Sequence, residues 1–135
     1  MRPLDFAKAA GLGAIIFIVD VLIAFGAMYA WGAIFEPGHT DAFYEQAAVP
    51  MARWSTRTVG TAMMFIAAWY FGRRKPPRNA YAFAALLVFF YAFADGAIVL
   101  FQGFFTLGIA VSMLLKLIGA LAGAQLARRA RVTLA

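Results

Sequence analysis

The sequence predicts an all-α, polytopic membrane protein: one antiparallel bundle of four transmembrane helices, with a short interfacial helix in the first outer loop. Three observations carry this. Of 135 residues, 64% are hydrophobic and only 13% charged, whereas a soluble domain is nearer half apolar and a quarter charged. A chain this short has too little interior to bury that excess, so lipid must solvate the remainder. Last, the apolar residues gather in four runs, each near the roughly 20 residues a bilayer core requires. A soluble globular domain, a disordered chain and a disulfide-stapled mini-protein are excluded. The absence of cysteine removes disulfides, thiolate catalysis and thiolate metal sites. One histidine leaves no ligand set for haem or zinc, so neither a metal nor another cofactor is expected.

The first run covers residues 9–35 and is too long for a signal-peptide core, so it reads as a membrane helix. The loop over 36–50 opens with Glu36-Pro37-Gly38, a helix stop and turn. Thr40 or Asp41 can then cap a short helix over 42–48. Phe43, Tyr44, Ala47 and Ala48 share one face of it, which suits a position on the membrane surface. Pro50 stands where a second membrane helix, 51–72, would begin and where a missing N–H does no harm. A basic turn, Arg73-Arg74-Lys75-Pro76-Pro77-Arg78, leads to the third run, 80–101. Only Gln102-Gly103 separates that run from the fourth, 104–127, which implies a tight antiparallel hairpin at the outer surface. No internal repeat and no second domain is visible.

The net charge of +6 is distributed by position. Arg2, Lys8, the basic turn and Arg128, Arg129 and Arg131 fall on one side if the helices alternate. Glu36, Asp41 and Glu45 fall on the other. The positive-inside rule therefore places both termini in the cytoplasm and the 36–50 loop outside, as in a bacterial inner membrane. Trp31, Trp54 and Trp69 lie at predicted helix ends, as interfacial residues should. Because the basic residues mark orientation, nucleic acid is not an expected partner.

Four ionisable residues lie within the apolar runs, and such residues are functional candidates by default. Asp20 and Lys116 fall near the midplane, while Arg57 and Asp95 fall about 7 Å outward. Each level holds one acid and one base, so the sequence suggests the pairs Asp20–Lys116 and Arg57–Asp95. Such pairs read either as structural neutralisation or as a polar centre that a substrate or proton disturbs. Arg53 and Arg57 share a face in the first two predicted turns of the second helix, beside Trp54 and Thr58. Two arginines with free helix-start N–H groups could hold a carboxylate, a phosphate or a lipid headgroup. The competing reading pairs Arg53 with Glu36, Asp41 or Glu45.

Small residues mark two stripes: Gly13, Asp20, Ala24, Ala27 and Trp31 on the first helix, and Gly108, Ser112, Lys116, Gly119 and Gly123 on the fourth. If these face each other, Asp20 and Lys116 meet; the stripes could equally form an oligomer interface. The aromatic set Phe83, Phe89, Phe90, Tyr91, Phe93, Phe101, Phe104 and Phe105 faces lipid or fills the bundle, with Tyr91 as a wall of an apolar pocket beside Asp95 in the other reading. His39 reads as a solvated loop residue.

Three functional classes remain open. One is a non-catalytic subunit or binding module for a lipid or a hydrophobic or anionic small molecule. Its binding or polar centre would comprise Asp20, Arg53, Arg57, Tyr91, Asp95 and Lys116. The second is a small oligomeric transporter or channel. Exporters of the small multidrug resistance family are similar in architecture and carry an acid in the first helix. Theirs is a glutamate where this chain has Asp20, and their loops are shorter. The third is a membrane-embedded isomerase, hydratase or cyclase with Asp20 or Asp95 as acid or base. Expected partners are the bilayer, the small molecule, and further copies of the chain or a larger membrane complex.

Overall fold

The computed structural model describes residues 3–73, 79–102 and 107–132, and side chains for all of these except 99–102 and 131–132. Within them the elements are α1 (Pro3–Ile34), α2 (Asp41–Gly72), α3 (Ala80–Gln102) and α4 (Leu107–Val132). Three of them, α1, α3 and α4, are long and apolar enough to cross a membrane. α2 is long enough at 32 residues. Its Arg53, Arg57 and the polar set Ser55, Thr56, Thr58 and Thr61 lower its hydropathy, so composition alone does not qualify it. The basic stretch 74–78, the turn at Gly103, and Phe104 and Phe105 lie outside the described residues, as do the side chains of Phe101, Gln102 and Arg131.

α1 starts earlier than its apolar run because Pro3 suits a first helical turn and Asp5, in that turn, complements the helix dipole. α2 differs more. Thr40 takes the cap position with an extended backbone (φ −74°, ψ 157°), and its carbonyl accepts the N–H groups of Phe43 and Tyr44. From Asp41 the helix then continues through Pro50. The segment expected to form a separate interfacial helix is the first part of α2, and Pro50 opens nothing. Breaking the helix there would orphan several backbone groups, whereas Pro50 forfeits one hydrogen bond. Flanking Ala47, Ala48, Met51 and Ala52 favour helix strongly enough to carry it through.

Between α1 and α2 the chain turns at Gly38, whose φ of +88° suits glycine. Tyr44 ties the turn down: its hydroxyl donates to the Glu36 carbonyl at 2.6 Å and accepts the His39 backbone N–H at 3.3 Å. The His39 ring, expected to be simply solvated, is half exposed, sits 3.0 Å from the Glu36 carboxylate and stacks on Phe43. Phe43 stacks in turn on Trp31.

Helix packing follows close backbone approaches. α2 packs most extensively on α4, and their contacts advance together along both helices: Gly60 with Lys116, Thr61 with Gly119, Phe65 with Gly123, Gly72 with Ala127. Between α1 and α2 the contacts advance in opposite senses, from Asp20 beside Gly60 to Gly32 beside Tyr44. Gly13 of α1 lies against the backbones of Leu87 and Tyr91 on α3. Among the described residues the backbones of α1 and α4 make no close approach. The small-residue stripes of the first and fourth helices therefore do not face each other, as they would if Asp20 and Lys116 met directly. A glycine stripe seeks a backbone it can approach; Gly119 and Gly123 find the carbonyls of Thr61 and Phe65 on α2, where a Cβ would overlap.

The core is one-sided. Met64, Ala68, Leu87, Tyr91, Ala120 and Ala124 are buried together, all at or beyond the level of Tyr91 toward the end that holds the start of α1 and the end of α4. Toward the Gly38 loop, α1 beyond Asp20 is largely exposed until Gly32, which rests on Tyr44. Of the third-helix aromatics, Phe83 and Tyr91 are buried while Phe89 and Phe93 are exposed.

Candidate functional site

The polar residues of the interior meet where the packed half gives way to the open half. Asp20, Tyr91 and Lys116 are each at most 2% exposed. The Lys116 ammonium donates to Ser112 Oγ, one turn earlier on α4, at 2.7 Å. It also donates to the Thr56 carbonyl on α2 at 2.8 Å, and lies 4.8 Å from the centre of the Tyr91 ring. The Tyr91 hydroxyl donates to Asp20 Oδ2 at 2.8 Å. Asp20 Oδ1 is buried with no hydrogen-bond partner among the described residues.

Asp20 and Lys116 are brought together as the sequence suggests, though without a direct ion pair. Tyr91 bridges them, its hydroxyl on the acid and its ring beside the ammonium. What lets both reach α2 is Gly60. A Cβ there would stand 2.7 Å from Lys116 Cε and 2.8 Å from Asp20 Oδ2. A side chain at position 60 would lean over the preceding turn, which is where Lys116 takes the Thr56 carbonyl.

On the open side of this triad, α2, α3 and α4 diverge around a cleft of about 340 Å³. α2 lines it with Arg53, Thr56 and Arg57, α3 with Asp95 and Ile98, and α4 with Gly108, Ile109 and Ser112. The fourth-helix stripe thus changes role along its length. Gly119 and Gly123 hold α4 against α2, while Gly108 and Ser112 line the cleft where the helices separate. Thr56 and Ser112 are both cleft wall and partners of Lys116, which puts that buried ammonium directly beneath the cleft floor.

Arg57 and Asp95 line the same cleft, yet no ion pair joins them among the described residues. Arg57 Nε is buried without a hydrogen-bond partner there. Arg53 makes no ion pair with Glu36, Asp41 or Glu45, and Glu36 is engaged by His39. Because α2 begins at Asp41, Arg53 and Arg57 lie more than three turns into the helix and not in its first two turns. No free helix-start N–H groups accompany them, and any anion would be held by guanidinium and hydroxyl donors alone.

Of the six residues singled out in the sequence, Asp20, Tyr91 and Lys116 meet in the triad and Arg53, Arg57 and Asp95 line the cleft; the sequence did not point to Gly60, Thr56 and Ser112 as neighbours of Lys116, or to Tyr91 as the donor to Asp20. The tyrosine carried a usable signal: it is the one hydroxyl-bearing ring between Phe83 and Phe93, and a buried tyrosine hydroxyl needs a partner. Two further cavities, about 370 Å³ beside Met28, Tyr29 and Tyr44 and about 250 Å³ beside Leu12, Met63 and Tyr70, carry no charged lining group. Among the described residues no group of three His, Cys, Asp or Glu side chains could hold a metal ion. No protein-family model, curated protein or solved structure matches this chain.

Proposed function

We propose that this protein is a membrane-embedded binding module for an anionic, partly hydrophobic small molecule or lipid, held in the cleft between α2, α3 and α4. The observation that carries this reading is the Arg53–Arg57 face lining a cleft, with a buried guanidinium nitrogen that has no acceptor among the described residues. Buried cationic donors without acceptors are costly, and an oxyanion in the cleft relieves that cost. In this reading all four helices span the bilayer in an up-and-down arrangement. Both termini lie in the cytoplasm of a bacterium, and the cleft opens in the outer leaflet. The test is thermal unfolding of the purified chain in a neutral detergent. Oleate at a hundred times its dissociation constant should stabilise the fold by about 2.7 kcal/mol, and Arg57→Gln should abolish the effect. An equal shift in the variant would remove the cleft from consideration.

The one-sided core favours a second reading, transport. A cleft open at one end, closed at the other by a packed core, with a buried acid–base triad at the junction, has the outline of one state of an alternating-access carrier.

A further inference from the structure

We infer that the cleft takes an amphiphile whose head carries a single negative charge, a carboxylate or a phosphodiester, attached to an apolar chain. The inference rests on the anion-binding reading above and specifies the ligand class.

Charge is the first argument. Arg53, Arg57 and Lys116 are the cations in and beneath the cleft, and Asp95 and Asp20 are the carboxylates. In formal charges, three against two leaves one positive; Arg53 is exposed, but with Lys116 buried and Arg57 half-buried that excess is costly. One anionic oxygen group completes neutrality. A doubly charged head would leave the site negative, with Asp95 in the cleft wall and Asp20 behind it.

Donor geometry is the second. Arg53 and Arg57 are four residues apart on one helix face, so both guanidinium groups reach a common point. Ser112 Oγ accepts a Lys116 hydrogen at 2.7 Å, which leaves its own O–H free to donate into the cleft. Two forked cations and a hydroxyl suit the planar or tetrahedral oxygens of a carboxylate or phosphodiester.

The mouth is the third. Val49 and Ile98 line the cleft and are themselves half exposed, so the cleft opens past apolar side chains. A head bound at the arginines sends its substituent out between them. A small, fully hydrated anion gains nothing from such a mouth, whereas a chain-bearing one buries apolar surface there.

Equilibrium binding to the full-length chain in a neutral detergent at pH 8 tests this with oleate, phosphatidylglycerol, acetate, dodecanol and dodecyl phosphate. Oleate and phosphatidylglycerol should each bind one per chain, and competition between them identifies whether free carboxylate or lipid phosphodiester is preferred. Acetate, dodecanol and the largely dianionic dodecyl phosphate should bind at least tenfold more weakly. Arg57→Gln should weaken oleate and phosphatidylglycerol at least tenfold, and Arg128→Gln, at the far end of α4, should leave both unchanged. Dodecyl phosphate or acetate binding as tightly as oleate overturns the inference and leaves the anion site standing. No Arg57-dependent binding of any anion overturns both.

Discussion

Lys116 shows how one side chain can set the terms for its neighbours. Its ammonium has no bulk water, so Thr56, Ser112 and the Tyr91 ring replace hydration, and Asp20 supplies the counter-charge through Tyr91. Removing one member of such a set strands the other, which typically costs about 3–5 kcal/mol, while removing both charges is far milder. Lys116→Met should therefore lower unfolding stability by roughly that amount. The double variant Lys116→Met/Asp20→Asn should recover most of the loss. A loss in the double variant equal to the sum of the Lys116→Met and Asp20→Asn losses, measured by denaturant titration in detergent micelles, would show that the two charges are energetically independent.

At the level of the helix, α2 is where local rules and the fold part company. Pro50, read locally, marks a helix start; in the structure it lies inside a helix. An interior proline costs up to about 3 kcal/mol relative to alanine. Pro50→Ala should leave helical content unchanged by circular dichroism and raise stability by up to that amount. A proline at a true helix start would give no such gain. Much else about the elements was legible. The apolar runs located α1, α3 and α4, and Glu36-Pro37-Gly38 located the turn after α1. The identities of Asp20, Arg57, Asp95 and Lys116 as charges within apolar runs were equally plain. Their partners were not, because periodicity says which residues share a face and says nothing of which helix that face meets. Gly60 illustrates the gap: a glycine in a helix is silent until the lysine and aspartate that pack over it are known.

Across the whole molecule, packing density changes along the bundle. Large buried side chains lie at or beyond the level of Tyr91, and the cleft lies on the other side of it. If the protein moves its ligand across the bilayer, the triad is the barrier. Asp20→Asn, which keeps an oxygen for the Tyr91 hydroxyl but removes the charge, should then reduce oleate flux into proteoliposomes at least tenfold, about 1.4 kcal/mol or more in barrier height, while oleate still binds, since the cleft gains a positive charge. Unaltered flux, or none in the parent protein, would confine the function to binding.

Each helix makes its most extensive contact with a helix from the other half of the chain: α1 with α3, and α2 with α4. This interleaving bears on how the protein is made. α1 supplies Asp20 and α2 the Thr56 carbonyl, and α3 brings Tyr91. α4, which follows them in the chain, delivers Lys116 and the glycines that close on α2. A chain whose synthesis stops short of α4 is left with a buried acid lacking its cation and a helix face lacking its cover.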